Sequence, residues 1–247
     1  MNSEALKEFR QAAYELLVKA KDATFELMDA VMTMRNAACL AEFALSPLFT
    51  RQWSSIYEAL QDSRPDRKKL MVLYIKQLEQ QVPATEHVLF AIDHTAWGRP
   101  DAKTLEDRTY QYQAGVIVGQ GYSTIAWIPS AQGSWALPLL HERITSEQAP
   151  IPKAAAQLKQ VCEQTTNPVL AVLDREYGNA SWVLARASIP ADCLMRVRKN
   201  ACFWSAPPAD GGRGRPRKHG QKMKLNDPET WLETDETIEI ADAYAFG

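Results

Sequence analysis

The spacing of hydrophobic residues changes at Pro83, and this change constrains the fold more than any other feature of the sequence. Before Pro83, apolar residues recur every three or four positions with charged residues between them, which is typical of amphipathic helices. After Pro83, short apolar runs of strand length alternate with helical stretches. The sequence therefore predicts a helical domain over residues 1–85, followed by an α/β domain over residues 86–247.

The first domain is predicted to contain helices over 3–34, with a break near Asp22, over 52–60 and over 65–81. Ser63 is the expected cap of the last helix, with Pro65 in its first turn. The last two helices could form a helix-turn-helix pair. A DNA-binding role and a packing or dimerisation role fit this pattern equally well, because helix-turn-helix spacing without a groove-facing polar row is a weak signal.

The second domain is predicted to be a mixed sheet with helices on its faces, the α/β class. Gly119 and Gly121 are expected to separate two strands of a hairpin. The predicted strands are 88–92, 112–118, 124–128, 169–173 and 193–199, and the predicted helices are 134–145, 153–164 and 179–187.

Composition excludes several classes of protein. The net charge is −2, from 28 Lys and Arg against 30 Asp and Glu, so overall charge does not indicate a nucleic-acid partner. The four cysteines form no C-x-x-C pair and the four histidines stand at no ligand spacing, which argues against a zinc site or a disulfide framework. The sequence has no apolar stretch of membrane-spanning length and no secretion signal at its start. We therefore expect a cytoplasmic protein with reduced thiols and no membrane partner.

Two of the apolar runs end in aspartate. Asp93 follows Val88-Leu-Phe-Ala-Ile92, and Asp174 follows Val169-Leu-Ala-Val-Leu173. Open α/β sheets place their sites at the ends of neighbouring strands, and carboxylate oxygens suit Mg²⁺ or Mn²⁺. Two such ions about 3.5–4 Å apart can bind the attacking and leaving oxygens of a phosphodiester displacement. Alternatively, each aspartate only accepts hydrogen bonds from the backbone of the following turn.

Several motifs lie around and after these aspartates. They are Ile92-Asp-His-Thr-Ala-Trp-Gly-Arg-Pro-Asp101, Thr104, Asp107-Arg-Thr-Tyr110, Val172-Leu-Asp-Arg-Glu-Tyr-Gly178, Arg196-Val-Arg-Lys-Asn200 and Gly212-Arg-Gly-Arg-Pro-Arg-Lys-His-Gly220. In this order they resemble the DDE transposases of bacterial insertion sequences, and the resemblance runs from about residue 35 onward.

This resemblance implies an RNase H-like catalytic domain in which Asp93 is the first acid of the triad and Asp174 the second. The intact enzyme would use two Mg²⁺ or Mn²⁺ ions for hydrolysis and strand transfer at the element's ends. The resemblance also implies a homodimer on double-stranded DNA, associated with the nucleoid while bound.

In the family, the third acid lies on a helix beyond an inserted β-rich segment. The chain stops at Gly247 inside what resembles that insertion, which starts near residue 200, so we expect an amino-terminal part of a transposase. None of the late glutamates lies on a convincing amphipathic helix, and 237–246 is predicted to be a strand, so no third acid is assigned. These glutamates are Glu229, Glu233, Glu236 and Glu239.

A basic segment follows the last predicted strand. Only Asp210 opposes its nine cations, which suit neutralisation of DNA phosphates. Gly212–Lys218 resembles the core of an AT-hook, a minor-groove motif. A solvated loop without a partner is the alternative. The cations are Arg196, Arg198, Lys199, Arg213, Arg215, Arg217, Lys218, Lys222 and Lys224.

Smaller signals flank the two aspartates. Arg99, Arg108 and Arg175 could hold phosphates, although structural ion pairs are equally compatible with the sequence. Trp97 and Tyr177 could stack on a splayed base, but core packing is the favoured interpretation.

Two rival functions remain open. One is a non-catalytic DNA-binding remnant of a transposase that occupies element ends or represses transposition. The other is a structure-selective nuclease that shares the fold.

Overall fold

The computed structural model describes residues 3–112, 115–129, 133–209 and 215–233. The chain divides into two compact units. The first comprises Met1–Leu173 with Ala180–Leu194, and the second comprises Asp174–Asn179 with the described residues of Met195–Gly247. Among the described residues, no helix is long and apolar enough to cross a membrane.

The amino-terminal part of the first unit is helical, as the hydrophobic spacing predicts. It contains α1 (Ser3–Glu15), α2 (Lys21–Thr33), a 3-10 helix (Leu40–Leu45), α3 (Ser54–Asp62) and α4 (Arg67–Glu79). The break between α1 and α2 comes just before the predicted position, at Ala20, whose φ is 51°. A small core of Leu27, Ala30, Phe49 and Ile56 joins α2 and α3.

The cap of α4 differs from the prediction. The Asp66 side chain, rather than Ser63, accepts a hydrogen bond from the backbone N–H of Lys69 at 3.1 Å. A carboxylate three residues before its donor is a favourable N-cap, because it pairs an otherwise unsatisfied N–H and complements the helix dipole.

The sheet confirms the predicted α/β class. Its strands are β1 (Val88–Gly98), β2 (Thr109–Tyr112), β3 (Val116–Trp127), β4 (Leu137–Ile144), β5 (Val169–Leu173) and β6 (Asp192–Met195). Their order is β2-β3-β1-β5-β6, with β4 also paired to β3. β1 is antiparallel to β3 and parallel to β5, so the sheet is mixed, as in the expected RNase H-like arrangement.

Two predictions in this region are wrong. Residues predicted as a helix over 134–145 form β4, because Leu139, Leu140 and Ile144 are buried on the sheet while Pro138 lies on its edge strand, where proline is tolerated. The predicted hairpin at Gly119 is one continuous strand, β3. A Cβ at position 119 would lie 2.1 Å from the carbonyl oxygen of Trp97. Gly119 therefore marks a close approach of two strands rather than a turn.

Helices α5 (Pro150–Cys162) and α6 (Ala180–Arg186) flank the sheet. Gln157 of α5 is buried against β3, where its Oε1 accepts a hydrogen bond from Ser123 Oγ at 2.6 Å. Its Nε2 donates to the Ser123 carbonyl and to Glu142. This network fixes α5 on the sheet face that carries Ser123.

The second unit contains a two-stranded sheet of β7 (Cys202–Trp204) and β8 (Lys222–Lys224), followed by a 3-10 helix (Pro228–Thr230). The predicted strand over 193–199 is shorter than expected, since β6 ends at Met195. The predicted strand over 237–246 lies outside the described residues.

Candidate active site and nucleic-acid interface

Asp93 lies within β1 rather than at its end. The strand continues to Gly98, and its burial changes at Asp93: Val88, Phe90 and Ile92 are buried, whereas Asp93 is exposed. The parallel partner β5 stops beside Ile92, so Asp93 is the first β1 residue beyond that pairing. Its Oδ1 accepts a hydrogen bond from the backbone N–H of His94 at 2.8 Å.

Asp174 directly follows Leu173, the last residue of β5. Leu173 is the register partner of Ile92 in the parallel pair. Asp174 Oδ1 accepts a hydrogen bond from the Glu176 N–H at 2.8 Å, and the Asp174 carbonyl accepts one from Tyr177. These bonds close an Asx turn, which is the backbone role considered as an alternative from the sequence. Asp174 is exposed, and its second oxygen, Oδ2, takes part in neither of these bonds.

The turn after β5 is packed against residues 195–200 in the second unit. A Cβ on Gly178 would lie 2.3 Å from the Arg196 carbonyl oxygen, so only a hydrogen atom fits at this position. Beside this contact lies a groove of about 610 Å³. It is lined by Arg175, Arg196, Val197, Arg198, Lys199 and Asn200, and we call it the basic groove.

Four of the predicted site residues thus share one surface. Arg175, Arg196, Arg198 and Lys199 are exposed, and together they place four cations along the basic groove. Four cations on one surface favour an extended polyanion such as a nucleic-acid backbone.

Arg99 lies elsewhere, on the first unit. Its guanidinium lies 4.0 Å from the centre of the Trp97 ring, in a cation–π contact. Trp97 is 40% exposed, so the core-packing interpretation of this residue is wrong, whereas Tyr177 is 1% exposed and does pack inside.

The sequence matches the family described as DDE superfamily endonuclease over residues 14–246. The chain belongs to this family. No curated protein matches it. The chain is similar to one in the cryo-EM structure of the piggyBac transposase synaptic complex with hairpin DNA, with a TM-score of 0.39 and 13% identity. That similarity covers 78% of this chain and 42% of the other, so this chain spans less than half of that protein's length.

DDE superfamily endonucleases generally use divalent metal ions. In this member, the exposed carboxylates of Asp93 and Asp174 offer hard oxygen ligands, which suit Mg²⁺ or Mn²⁺. Over the described ranges, no group of three histidine, cysteine or acidic side chains is arranged to hold a metal. Glu229 and Glu233 are exposed in the second unit, and Glu236 and Glu239 lie outside the described residues.

The rest of the basic segment is only partly described. Arg215, Arg217 and Lys218 are exposed, whereas Arg213 and the start of the AT-hook-like sequence lie outside the described residues. On β8, Lys222 lies over the Trp204 ring at 5.3 Å, and Lys224 pairs with Asp227 at 3.5 Å. Lys224 is therefore partly neutralised, which makes it a weaker phosphate ligand than the groove residues.

Sequence reasoning missed one group of side chains on the sheet face that carries Asp93. Because side chains alternate along strands, the pairing places Trp97, Tyr110, Tyr122 and His141 on this face as well. Tyr110 lies just before the predicted strand over 112–118, so the sequence did not place it on the sheet, whereas the structure has it in β2. The contribution of β4 could not be found from the sequence either, because β4 was predicted to be a helix.

Proposed function

We propose that the chain is a DNA transposase that cuts phosphodiester bonds at the ends of an insertion sequence and transfers the strands. One observation carries this proposal: Asp93 and Asp174 directly follow Ile92 and Leu173, which are register partners on neighbouring parallel strands. Membership of the DDE superfamily endonucleases supports the same assignment.

In this proposal, the carboxylates of Asp93 and Asp174 hold two Mg²⁺ or Mn²⁺ ions. When bound, such ions lower the pKa of the attacking water or 3′-hydroxyl and neutralise charge on the leaving oxygen. The hydrogen bond from Glu176 to Asp174 Oδ1 fixes that carboxylate in one orientation, so the protein need not order it when a metal binds.

The basic groove is proposed to hold the backbone of double-stranded DNA. Its four cations replace counterions on the phosphates, which makes binding salt-dependent and independent of sequence. Arg213, Arg215, Arg217, Lys218, Lys222 and Lys224 would extend this contact, with Arg99 and Arg175 supporting the reacting strand.

We assign residues 1–85 to DNA binding or dimerisation and residues 86–247 to the catalytic domain. A homodimer on DNA is supported by large apolar side chains exposed on the helical part. These include Met32, Leu45, Trp53 and Leu60. A protein that cuts chromosomal DNA would act in the cytoplasm and would be associated with the nucleoid while bound to DNA.

The test is nicking of a supercoiled plasmid that carries the gene with its flanking DNA. We expect nicking with Mg²⁺ and none with EDTA, and loss of nicking in Asp93→Asn and in Asp174→Asn. Asp192→Asn is the matched control, because it removes an exposed carboxylate that, among the residues that the structure describes, pairs with His87 alone. Equal activity in all three variants would refute the assignment, and nicking that ignores the flanking DNA would indicate a structure-selective nuclease.

A second candidate is a DNA-binding remnant that occupies element ends without cutting them. The basic groove supports it, because its four exposed cations can bind DNA phosphates without any metal or cleavage. Salt-sensitive binding to the same plasmid without nicking, in both Mg²⁺ and Mn²⁺, would support this candidate.

A further inference from the structure

One face of the sheet carries exposed aromatic side chains beside Asp93. Trp97 is 40% exposed, and Tyr110 and Tyr112 on the edge strand β2 are 82% and 80% exposed. Isolated exposed rings are ordinary, but several on one sheet face mark an interaction surface. Four side chains of this face contact one another in series, and we call them the aromatic row: Arg99, Trp97, Tyr122 and His141.

The rings of the aromatic row contact one another. Trp97 and Tyr122 meet edge to face, with centroids 6.2 Å apart. Tyr122 and His141 are stacked, with centroids 4.9 Å apart and planes 3° from parallel. The row is thus a continuous series of flat groups across three strands.

Hydrogen bonds hold the row in place. His141 Nδ1 lies 2.8 Å from Thr124 Oγ1, and the Tyr122 hydroxyl donates to Gln120 Oε1 at 3.0 Å. At the other end, the backbone N–H of Arg99 donates to the Val118 carbonyl at 2.8 Å, which fixes the backbone that carries the guanidinium. Rings that are already ordered lose little conformational entropy when a ligand stacks on them.

The row lies on the same sheet face as the proposed catalytic carboxylate. Asp93 is opposite Thr124 in the antiparallel register, and Thr124 is opposite His141 on β4. Tyr122 lies two residues before Thr124 on β3, opposite Thr95. Neighbouring strands lie about 4.7–4.9 Å apart, so Tyr122 and His141 lie one and two strand spacings across the sheet from Asp93.

Charge favours a nucleic acid as that ligand. Arg99 presents a guanidinium on the row, and no carboxylate pairs with it in the part of the chain that the structure describes. Proteins bind unpaired nucleotides with exposed aromatic rings and arginines, since a ring can stack on the flat base and a guanidinium can pair with the backbone phosphate. A duplex cannot use such a row, because its bases are already stacked on each other.

We propose that the aromatic row binds unpaired nucleobases of single-stranded DNA beside Asp93. The relevance of that strand to cutting rests on the proposed function, but the binding itself needs neither metal nor cleavage. Tyr110 and Tyr112 extend the same face and would contact further bases.

The test is fluorescence anisotropy of the full chain with a labelled oligothymidylate of about twelve nucleotides, in EDTA. Stacking of one base contributes about 1–3 kcal/mol, which corresponds to roughly a 5- to 150-fold change in Kd. We expect Trp97→Ala to weaken binding by at least about fivefold and Trp97→Phe to restore most of it. Trp135→Ala is the control, since Trp135 is 82% exposed and lies outside the row.

An abasic oligonucleotide of equal length separates stacking from phosphate contacts. The wild type should bind it at least as weakly as Trp97→Ala binds the normal strand, and the difference in Kd between the two strands should be smaller for Trp97→Ala than for the wild type. Equal loss in Trp97→Ala and Trp135→Ala, or an unchanged Kd in Trp97→Ala, overturns the proposal. If Trp97→Ala unfolds, His141→Ala decides the question, because it removes an exposed ring of the row. It should narrow the difference in Kd between the normal and abasic strands, and an unchanged difference overturns the proposal.

The two proposals fail separately. If nicking depends on Asp93 but single-strand binding does not depend on Trp97, the row is wrong and the transposase assignment stands. If nicking is absent but Trp97-dependent binding persists, the row stands and the catalytic assignment falls.

Discussion

Removing three cations from the basic groove should change the salt dependence of DNA binding by a calculable amount. The perturbation is the triple variant Arg196→Gln, Arg198→Gln and Lys199→Gln, three residues that line one groove. The logarithm of the binding constant falls with the logarithm of salt concentration by about 0.9 per phosphate contact on duplex DNA. If each residue contacts one phosphate, the slope becomes shallower by about 2.7.

This difference is large enough to measure directly. Between 50 and 200 mM salt, the wild type should lose roughly 40-fold more affinity than the triple variant, given the same slope per contact. The assay is anisotropy with a labelled duplex at several salt concentrations. Two single variants, Arg198→Gln and Lys159→Gln, form the matched comparison. Lys159 lies on α5, outside the basic groove, and in the described part of the chain it pairs with Glu163 alone.

The reasoning fails if the triple variant keeps the wild-type slope. It also fails if Lys159→Gln lowers the slope as much as Arg198→Gln, because loss of affinity would then follow total charge rather than the groove.

Three further predictions concern the fold that positions these surfaces. Gly178→Ala should lower the free energy of unfolding in urea by about 1–3 kcal/mol, because its Cβ meets the Arg196 carbonyl oxygen. Gly133→Ala, the control, should change that free energy by no more than about 0.5 kcal/mol. Equal effects of the two substitutions would contradict the packing of the turn after β5. Ser123→Ala should lower the free energy of unfolding by about 1–3 kcal/mol, because it removes a buried hydrogen bond to Gln157. Thr33→Ala, at an exposed hydroxyl, should lower it far less. An unchanged free energy in Ser123→Ala would exclude a stabilising role for the hydrogen-bond network around Gln157. Hydrogen bonds from the Ser146 side chain and backbone N–H, together with the Arg143 guanidinium, lower the pKa of Asp107. The stabilisation from ionised Asp107 is present above the unfolded pKa of about 3.9 and is lost as pH falls through the lower folded pKa. Asp107→Asn should therefore lower Tm at pH 7, and its Tm should converge with that of the wild type near pH 2. A Tm difference that stays constant with pH would contradict this prediction.

The parts of the fold that could be predicted from the sequence have strong local signals. The apolar runs before Asp93 and Asp174 are strands because β-branched and aliphatic residues are continuous there and the helical period is absent. Helices α1 to α4 follow the three- and four-residue spacing, which needs no knowledge of the sheet.

The misplaced elements depend on contacts that are distant in the sequence. The residues of β4 are compatible with a helix locally, and only their pairing with β3 makes them a strand. Gly119 is a turn residue by preference, but here the nearby Trp97 carbonyl requires it. Tertiary packing decides both cases.

Some residues of the candidate site likewise have a local sequence signal, whereas others depend on strand pairing. Asp93 and Asp174 could be proposed from the sequence because each follows an apolar run, and the clustering of Arg196, Arg198 and Lys199 is visible in the sequence. The aromatic row could not be predicted, because it needs the register of β1, β3 and β4 to bring Trp97, Tyr122 and His141 onto one face.

Binding of Mn²⁺ measured by electron paramagnetic resonance tests the central claim most directly, because it asks whether Asp93 and Asp174 act on the same ions. The variants are Asp93→Asn, Asp174→Asn and the double variant, with Asp192→Asn as control. If the two carboxylates share a site, each single variant should lose nearly as much affinity as the double variant. Losses that simply add, or Mn²⁺ affinity unchanged in both single variants, would contradict the shared site.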